Sequence, residues 1–453
     1  IRMHDFRLTA EQLEFRDAIR DFVDREVKPA AIDPKRLEPF EKPLMTGFLD
    51  QLSQMGLRGL ALPEEAGGAG ADLLTRCVLL EEIAAGDIDL AMVLGETALL
   101  ALAVHGAMND AQRARWMPKF EGDERFHLAL IARDESAGLA WSYHQEAPED
   151  AGVIGEPEVV ATRDGKGWII NGLAPFVANA PVAGLFIVQA KIDGEPGTVT
   201  VLLGRDTRGL EVDEALPSFG DGGERARWQH GAVASVTLND CRVGADDVIA
   251  ADAAHRLLSG LAAQRMLQTA AANVGVARAA YEAAVDYAKM RWQGGRHIIE
   301  HQSIGLKLAD VAIQLEAARA LVQKAAWITD HPDAVGERHV SDLPWHVVAR
   351  SFTAQALHRA TLESAECFGA MGVMRDMPLQ KYVHDTLVLQ QLRGFCPLCA
   401  RAGFPERRNV GVLRREFVNG QLTRIGVDAA FTNGTPGTWT ANDAVVPLGG
   451  LQG

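Results

Sequence analysis

The spacing of apolar residues divides the chain into parts with different periods. In the first part, apolar positions recur every three or four residues, and Thr9 and Gln12 stand at the spacing of a capping box at a helix start. The glycine-rich segment LPEEAGGAG, at 62–70, predicts a break between helical stretches. We therefore predict a helical domain over residues 1–126.

Between residues 127 and 250 the pattern changes to short runs of β-branched and aliphatic residues. The runs are bounded by Gly, Pro, Asp and Asn, which are turn-forming residues. They are GWII (167–170), LFIVQAKI (185–192), TVTVLLG (198–204) and ASVTLNDCRV (234–243). This pattern predicts a predominantly antiparallel β-domain over residues 127–250.

Helical spacing returns over residues 251–410. Apolar side chains repeat there in alternating steps of three and four, which predicts a helical bundle with further contacts between subunits. The C-terminal extension, residues 411–453, is rich in Gly, Thr and Asn, and its sequence leaves open short strands or an extended arm on a neighbour. The predicted fold class is α+β.

Composition narrows the classes of function. The net charge of −15 argues against nonspecific binding to nucleic acid or to a membrane surface. Five cysteines, an odd number in a large chain, argue against a disulfide framework. No apolar run is expected to reach the roughly 20 residues that cross a bilayer, and the charged N-terminal sequence lacks the apolar core of a secretory signal. A cytoplasmic protein without a membrane partner is expected.

Short motifs do not by themselves identify a function. Cys396 and Cys399 form a C-x-x-C, but no second ligand pair accompanies it and no strand precedes it, so we interpret it as part of a bend. His297 and His301 are four residues apart without the H-E-x-x-H pattern of a zinc site. No metal is predicted.

Five segments, taken in order, resemble motifs of the acyl-CoA dehydrogenase family of flavoproteins over about residues 5–405. LPEEAGGAG is similar to the family's P-E-x-x-G-G-x-G turn, and LALIARDESAG (128–138) stands where T-E-P-x-A-G-S-D is usual. The other three segments are GWIINGLAPFVANA (167–180), YAKMRWQGGRHIIEHQ (287–302) and CFGAMGVMRDMPLQKYVHD (367–385). Because these segments keep the family's order and spacing, the resemblance extends to the whole three-part fold: N-terminal helices, a middle β-domain and a C-terminal four-helix bundle.

The resemblance implies FAD as cofactor, an acyl-CoA substrate and α,β-dehydrogenation of the thioester. It also implies electron-transfer flavoprotein or a similar acceptor, and a homo-oligomer (dimer or tetramer) or a paralogous partner subunit. In this family the counterparts of Arg291 and Gln302 reach across a subunit interface to the diphosphate and adenosine of the neighbour's FAD. The cofactor-binding positions carried over are Ala137, Gly138, Phe176, Ala178, Arg291, Gln302, Gly369 and Gly372.

The sequence departs from the family at the catalytic base. Arg393, in LRGF, occupies the place of the glutamate in Y-E-G-T, and Arg265 occupies a second place where some members carry that glutamate. Arginine has no acceptor and stays protonated, so it cannot be a general base. Glu96 is the one ionisable residue in the apolar stretch MVLGETALLAL, where apolar surroundings would suit a base. Hydroxyls that usually contact the flavin are also missing, for example at Ala178.

Three hypotheses follow from this combination. The first is an acyl-CoA dehydrogenase with an altered or displaced base, with Glu96 as the candidate. The second is a catalytically silent subunit that completes the FAD site of a paralogue. The third is other flavin chemistry, such as a monooxygenase or a desulfinase-like reaction in which an arginine binds an anionic substrate.

Overall fold

The computed structural model describes residues 8–33, 44–132, 158–213, 231–332, 345–374, 376–391, 412–418 and 421–428. The predicted N-terminal helix begins as expected: Thr9 and Gln12 each accept a hydrogen bond from the other's backbone N–H, and this capping box starts α1. A π-helical turn, Val23–Val27, continues α1 into the next helix. The N-terminal helices are α1 (Ala10–Phe22), α2 (Lys28–Ala31), α3 (Thr46–Gln54), α4 (Leu73–Gly86), α5 (Ile88–Ala107) and α6 (Asp110–Gly122).

The middle of the chain forms one eight-stranded sheet, in the order β6-β7-β3-β2-β4-β5-β8, with β1 paired to β4. Most neighbouring strands are antiparallel, while β1 and β2 run parallel to β4. The strands are β1 (His127–Ile131), β2 (Glu158–Asp164), β3 (Gly167–Ala178), β4 (Ala183–Ile192), β5 (Thr198–Gly204), β6 (Leu210–Asp213), β7 (Val233–Val243) and β8 (Val248–Ile249).

The C-terminal helices pack around one long central helix. They are α7 (Ala251–Ser259), α8 (Leu261–Met290), α9 (Gln302–Asp330), α10 (Trp345–Glu366) and α11 (Leu379–Gln391). Helix α8 contacts α9, α10, α11 and, from the N-terminal part, α4. At Gly275 the backbones of α4 and α8 approach so closely that an added Cβ would lie 2.1 Å from the Glu81 carbonyl oxygen.

The structure also contains two short hairpins. The first joins α8 to α9 through β9 (Trp292–Gln293) and β10 (Arg296–His297). Its turn residues Gly294 and Gly295 have φ angles of 63° and 82°, a conformation that favours glycine. The second consists of β11 (Val412–Val418) and β12 (Gln421–Asp428), so the C-terminal extension contains strands.

Helix α5 corrects one expectation from the sequence. Its 20 residues are long and apolar enough to cross a membrane by length and composition, although no such run was expected. In the structure, 72% of its most apolar 18-residue window is buried inside the protein. Burial on this scale is what a core helix requires, because other helices and the sheet cover its apolar surface. The expected cytoplasmic location stays a prediction.

Candidate active site

The Glu96 carboxylate and the Arg265 guanidinium form a buried ion pair between α5 and α8. Arg265 Nε donates to Glu96 Oε2 at 3.1 Å, and Arg265 Nη2 donates to Glu96 Oε1. The contact is therefore bidentate, a geometry that arginine and carboxylate adopt with high specificity. The sequence suggested apolar surroundings for Glu96, and that expectation is corrected by the guanidinium beside it. The reason is that Arg265 lies far away along the chain and is brought there by helix packing.

The ion pair lies in a small pocket between α4, α5 and α8. Glu96 is the one carboxylate among the residues that line this pocket in the described part of the chain. Gln268 donates from Nε2 to the Gly95 carbonyl at 3.2 Å, and the Thr269 hydroxyl donates to the Arg265 carbonyl at 2.8 Å. The pocket is lined by Leu80, Ala91, Met92, Gly95, Glu96, Arg265, Gln268, Thr269 and Ala272.

A polar network joins α5 to the end of β3. Asn179 Nδ2 donates to the Val93 carbonyl at 3.0 Å and to the Thr97 hydroxyl at 3.1 Å. The same hydroxyl lies 2.9 Å from His127 Nδ1. Asn179 has a φ angle of 64°, an uncommon conformation for a residue other than glycine. The network thus holds the helix that carries Glu96 against the strand that carries two predicted flavin contacts.

His127 stays neutral in this network. Its side chain is 1% exposed, and burial, with the nearby Arg58 charge as a second cause, lowers the pKa of His127 to about 3. His127 Nε2 is buried and has no hydrogen-bond partner among the described residues. The imidazole therefore acts here as an uncharged contact between α5 and β1.

The predicted flavin contacts on β3 lie on one side of the strand. Phe176 and Ala178 are half-buried, whereas Val177 between them is buried in the sheet core. The pairing of β3 with β7 shifts between Ala174 and Val177, so a bulge changes the direction of the side chains there. Sequence periodicity does not reveal such a shift, because it depends on the pairing with β7.

The other predicted cofactor contacts lie in the helical bundle. Arg291 caps the end of α8, Gln302 begins α9, and both are exposed beside the hairpin of β9 and β10. Gly369 has a φ angle of 57°, and a Cβ added at Gly372 would lie 2.6 Å from the Ala365 carbonyl oxygen. Glycine is therefore required at both positions by the backbone, whether or not a cofactor is bound. The remaining candidates, Ala137, Gly138, Arg393, Cys396 and Cys399, lie outside the described residues.

Sequence reasoning missed the pairing of Glu96 with Arg265 and the roles of Thr97, His127 and Asn179. It had identified Glu96 and Arg265 separately, each from its place relative to family motifs. Asn179 lay within a quoted segment, but its left-handed backbone and its contacts could not be inferred from the motif. No periodic signal marks any of these contacts, because they join elements that are distant along the chain.

Comparison with known proteins agrees with the fold and with the motif order. A sequence model described as "Acyl-CoA dehydrogenase, N-terminal domain" matches residues 9–123, and one described as "Acyl-CoA dehydrogenase, C-terminal domain" matches residues 254–395. An acyl-CoA dehydrogenase of Bacillus subtilis is 27% identical over 394 residues, which cover 85% of this chain and 95% of the relative. Benzylmalonyl-CoA dehydrogenase of Aromatoleum aromaticum is 29% identical, with 84% and 93% covered.

The solved structure of butyryl-CoA dehydrogenase from Megasphaera elsdenii has the same fold. Its TM-score is 0.71 at 23% identity, and the match covers 88% of this chain and 98% of that one. Structures that share the fold include complexes with FAD and FADH2. The chain belongs to the acyl-CoA dehydrogenase family, whose members are oxidoreductases that use FAD. The resemblance and the fold class inferred from the sequence are thereby confirmed.

Proposed function

We propose that this chain is an FAD-dependent dehydrogenase of an acyl-CoA thioester in which Glu96 takes the place of the usual base. The observation that carries the proposal is the buried Glu96 carboxylate in a pocket between α4, α5 and α8. Arginines, Arg265 and Arg393, occupy the two positions where members of the family carry the catalytic glutamate. Glu96 is therefore the carboxylate that this pocket offers. We propose electron-transfer flavoprotein as the acceptor of the electrons.

The described residues fit an FAD that is held between two subunits. Arg291 and Gln302 are exposed beside one hairpin, where they can contact a group bound to a second subunit. A guanidinium suits a diphosphate by charge and by its paired donors. Phe176 offers an aromatic ring for packing on the flavin, whereas Ala178 has no hydroxyl for it. This fit supports a dimer or a larger oligomer.

The proposed chemistry divides the two hydrogens between cofactor and protein. When bound, FAD supplies the acceptor for the hydride that leaves the β-carbon. Glu96 takes the proton from the α-carbon, so that the product is the α,β-unsaturated thioester. The bidentate contact with Arg265 occupies both carboxylate oxygens of Glu96, so this pairing must change before Glu96 can accept a proton.

Flavin bleaching tests this proposal. The protein is purified with its flavin, and a panel of acyl-CoA thioesters is added under anaerobic conditions while the visible spectrum is recorded. At least one thioester should bleach the wild-type flavin, and Glu96→Gln should abolish that bleaching. Asp89→Asn is the matched control, because Asp89 is a buried carboxylate of the same helix that does not line the pocket. Unchanged bleaching in Glu96→Gln would exclude Glu96 as the base.

A second candidate is a silent subunit that completes the FAD site of a paralogue. It is favoured by the ion pair, which leaves Glu96 engaged with Arg265, and by the exposed positions of Arg291 and Gln302. On this hypothesis the chain purified alone is colourless and becomes yellow when a paralogue is co-expressed. Arg291→Ala in this chain should then lower the flavin content of the mixed oligomer.

Family membership does not set the acyl group. The names of relatives include isobutyryl-CoA dehydrogenase, whose named substrate has a branched alkyl group, and benzylmalonyl-CoA dehydrogenase, whose named substrate carries a carboxylate.

A further inference from the structure

We propose that Asn179 is a positioning residue for the dehydrogenation. Its side-chain amide fixes the rotation of α5 about the helix axis, and thereby the place of the Glu96 carboxylate relative to a flavin held on β3. The inference rests on the proposed function and adds to it a residue that acts through α5.

The backbone of Asn179 ends β3. Asn179 directly follows Ala178, at the point where the chain leaves β3 and turns towards β4. Its φ angle of 64° lies in the left-handed region, its backbone N–H donates to the Ala232 carbonyl, and its carbonyl accepts from the Val182 N–H at 3.0 Å. Glycine would adopt this conformation without strain. The asparagine side chain, which is 2% exposed, is therefore not required by the turn itself.

The side-chain amide of Asn179 uses both of its hydrogens on α5. Nδ2 donates to the Val93 carbonyl at 3.0 Å and to the Thr97 hydroxyl at 3.1 Å, and these two residues are about one helical turn apart. The Thr97 hydroxyl also lies 2.9 Å from Nδ1 of His127, to which it can donate its own hydrogen. Two hydrogen bonds one turn apart oppose both the rotation of α5 about its axis and its sliding along that axis.

The rotation of α5 decides where Glu96 lies. Glu96 precedes Thr97, so its side chain leaves the helix about 100° around the axis from the residue that Asn179 holds. For a carboxylate about 5–6 Å from the helix axis, a rotation of about 10° is a displacement of about 1 Å. A displacement of about 1 Å can cost about 100-fold in rate. The bidentate contact of Glu96 with Arg265 depends on the same rotation, because Arg265 belongs to α8.

Substitutions at two positions separate the amide from the backbone. Asn179→Gly keeps the left-handed conformation without the amide, and Asn179→Asp keeps the shape but replaces the two donors by an oxygen that faces the Val93 carbonyl. Thr97→Val removes one acceptor, whereas Thr97→Ser keeps it. Asp240→Gly is the matched control, because Asp240 is the other non-glycine residue of the described chain with a positive φ angle, 52°, and it is exposed on the sheet.

The first measurement is the rate of anaerobic flavin bleaching at a saturating concentration of the thioester that bleaches the wild type fastest, expressed per bound flavin. Both Asn179 variants should lower this rate about 100-fold and Thr97→Val should lower it less, while Thr97→Ser and Asp240→Gly stay near the wild-type rate. The thioester concentration at half-maximal rate should change little, because the amide acts on the placement of the base. A residue that only supports the fold would reduce the yield of flavin-loaded protein but not the rate per flavin.

The second measurement needs no substrate. The coupling energy of Glu96 and Arg265, obtained by urea unfolding of the wild type, Glu96→Leu, Arg265→Met and the double variant, is compared with the same cycle in an Asn179→Gly background. The coupling energy should fall in that background, whereas a residue that only supports the fold would lower all four free energies of unfolding equally. An unchanged coupling energy would overturn the inference. The same cycle in a Thr97→Val background decides the question if Asn179→Gly does not fold.

The two proposals fail in different ways. Unchanged bleaching in Glu96→Gln rejects the base, whatever the Asn179 variants do. Loss of bleaching in Glu96→Gln together with wild-type rates in both Asn179 variants rejects the positioning role alone. If no thioester bleaches the wild type, the proposed dehydrogenation is rejected, and the coupling energies still decide whether Asn179 sets the rotation of α5.

Discussion

The ion pair of Glu96 and Arg265 leads to a prediction about stability that does not depend on the substrate. Arg265→Met removes the guanidinium from a carboxylate that is 4% exposed, whereas Glu96→Leu removes the carboxylate from a guanidinium that is 15% exposed and closer to water. Breaking a buried pair from one side costs about 3–5 kcal/mol. We expect Arg265→Met to lie in this range and Glu96→Leu to cost less.

The double variant should recover most of this loss. An apolar pair of similar volume in place of a buried ion pair is typically neutral or even stabilising by about 1–4 kcal/mol. At an effective dielectric constant of about 20, two charges about 4 Å apart interact by about 4 kcal/mol, so the coupling energy of the cycle should be several kcal/mol.

Urea unfolding of the flavin-loaded protein at one protein concentration measures the free energies in this cycle. Arg163 and Glu195 provide the control, because their atoms are 3.2 Å apart but the side chains are 60% and 53% exposed. Their coupling energy should be about 0–1 kcal/mol. A coupling energy as small as this at Glu96 and Arg265, or a double variant as unstable as Arg265→Met, would refute the reasoning.

Three further predictions concern the surroundings of the site. Folding lowers the pKa of His127 from 6.5 to about 3, so its contribution to stability is complete above pH 6.5 and is lost as the pH falls towards 3. Urea titrations of the wild type and of His127→Asn should show that the histidine accounts for about 2 kcal/mol of the stability lost on going from pH 7 to pH 5. Equal losses of stability in the two proteins would contradict this. Gly275→Ala forces α4 and α8 apart and should cost about 2 kcal/mol or more in thermal unfolding, whereas Gly47→Ala, with open space around the new methyl group, should be neutral or stabilising by about 0.5–1 kcal/mol. Arg291→Ala should lower the flavin content of the purified oligomer without changing the unfolding of the flavin-free protein, because the side chain is exposed; an unchanged flavin content would remove Arg291 from the cofactor site.

Much of the fold could be predicted from the sequence because the signals are local. The capping box of Thr9 and Gln12, the alternating runs of the sheet and the three-and-four spacing of the bundle helices depend on near neighbours in the chain. The order of helices, strands and helices follows from these periods. The family motifs also indicated the cofactor and the class of reaction, which the spacing of apolar residues does not reveal.

Tertiary structure alone decided what surrounds the functional side chains. Glu96 and Arg265 are 169 positions apart in the chain. The spacing of apolar residues in their two helices does not indicate that their side chains meet. Composition gives α5 the length and hydropathy of a membrane span, and only the packing of other elements around it shows that it is a core helix. Helix periods are local properties, whereas partners, burial and charge compensation depend on which helices the folded chain brings together. For this protein, the sequence determined the architecture and the family. The packing of α5 against α8 determined which charged side chains meet in the candidate site.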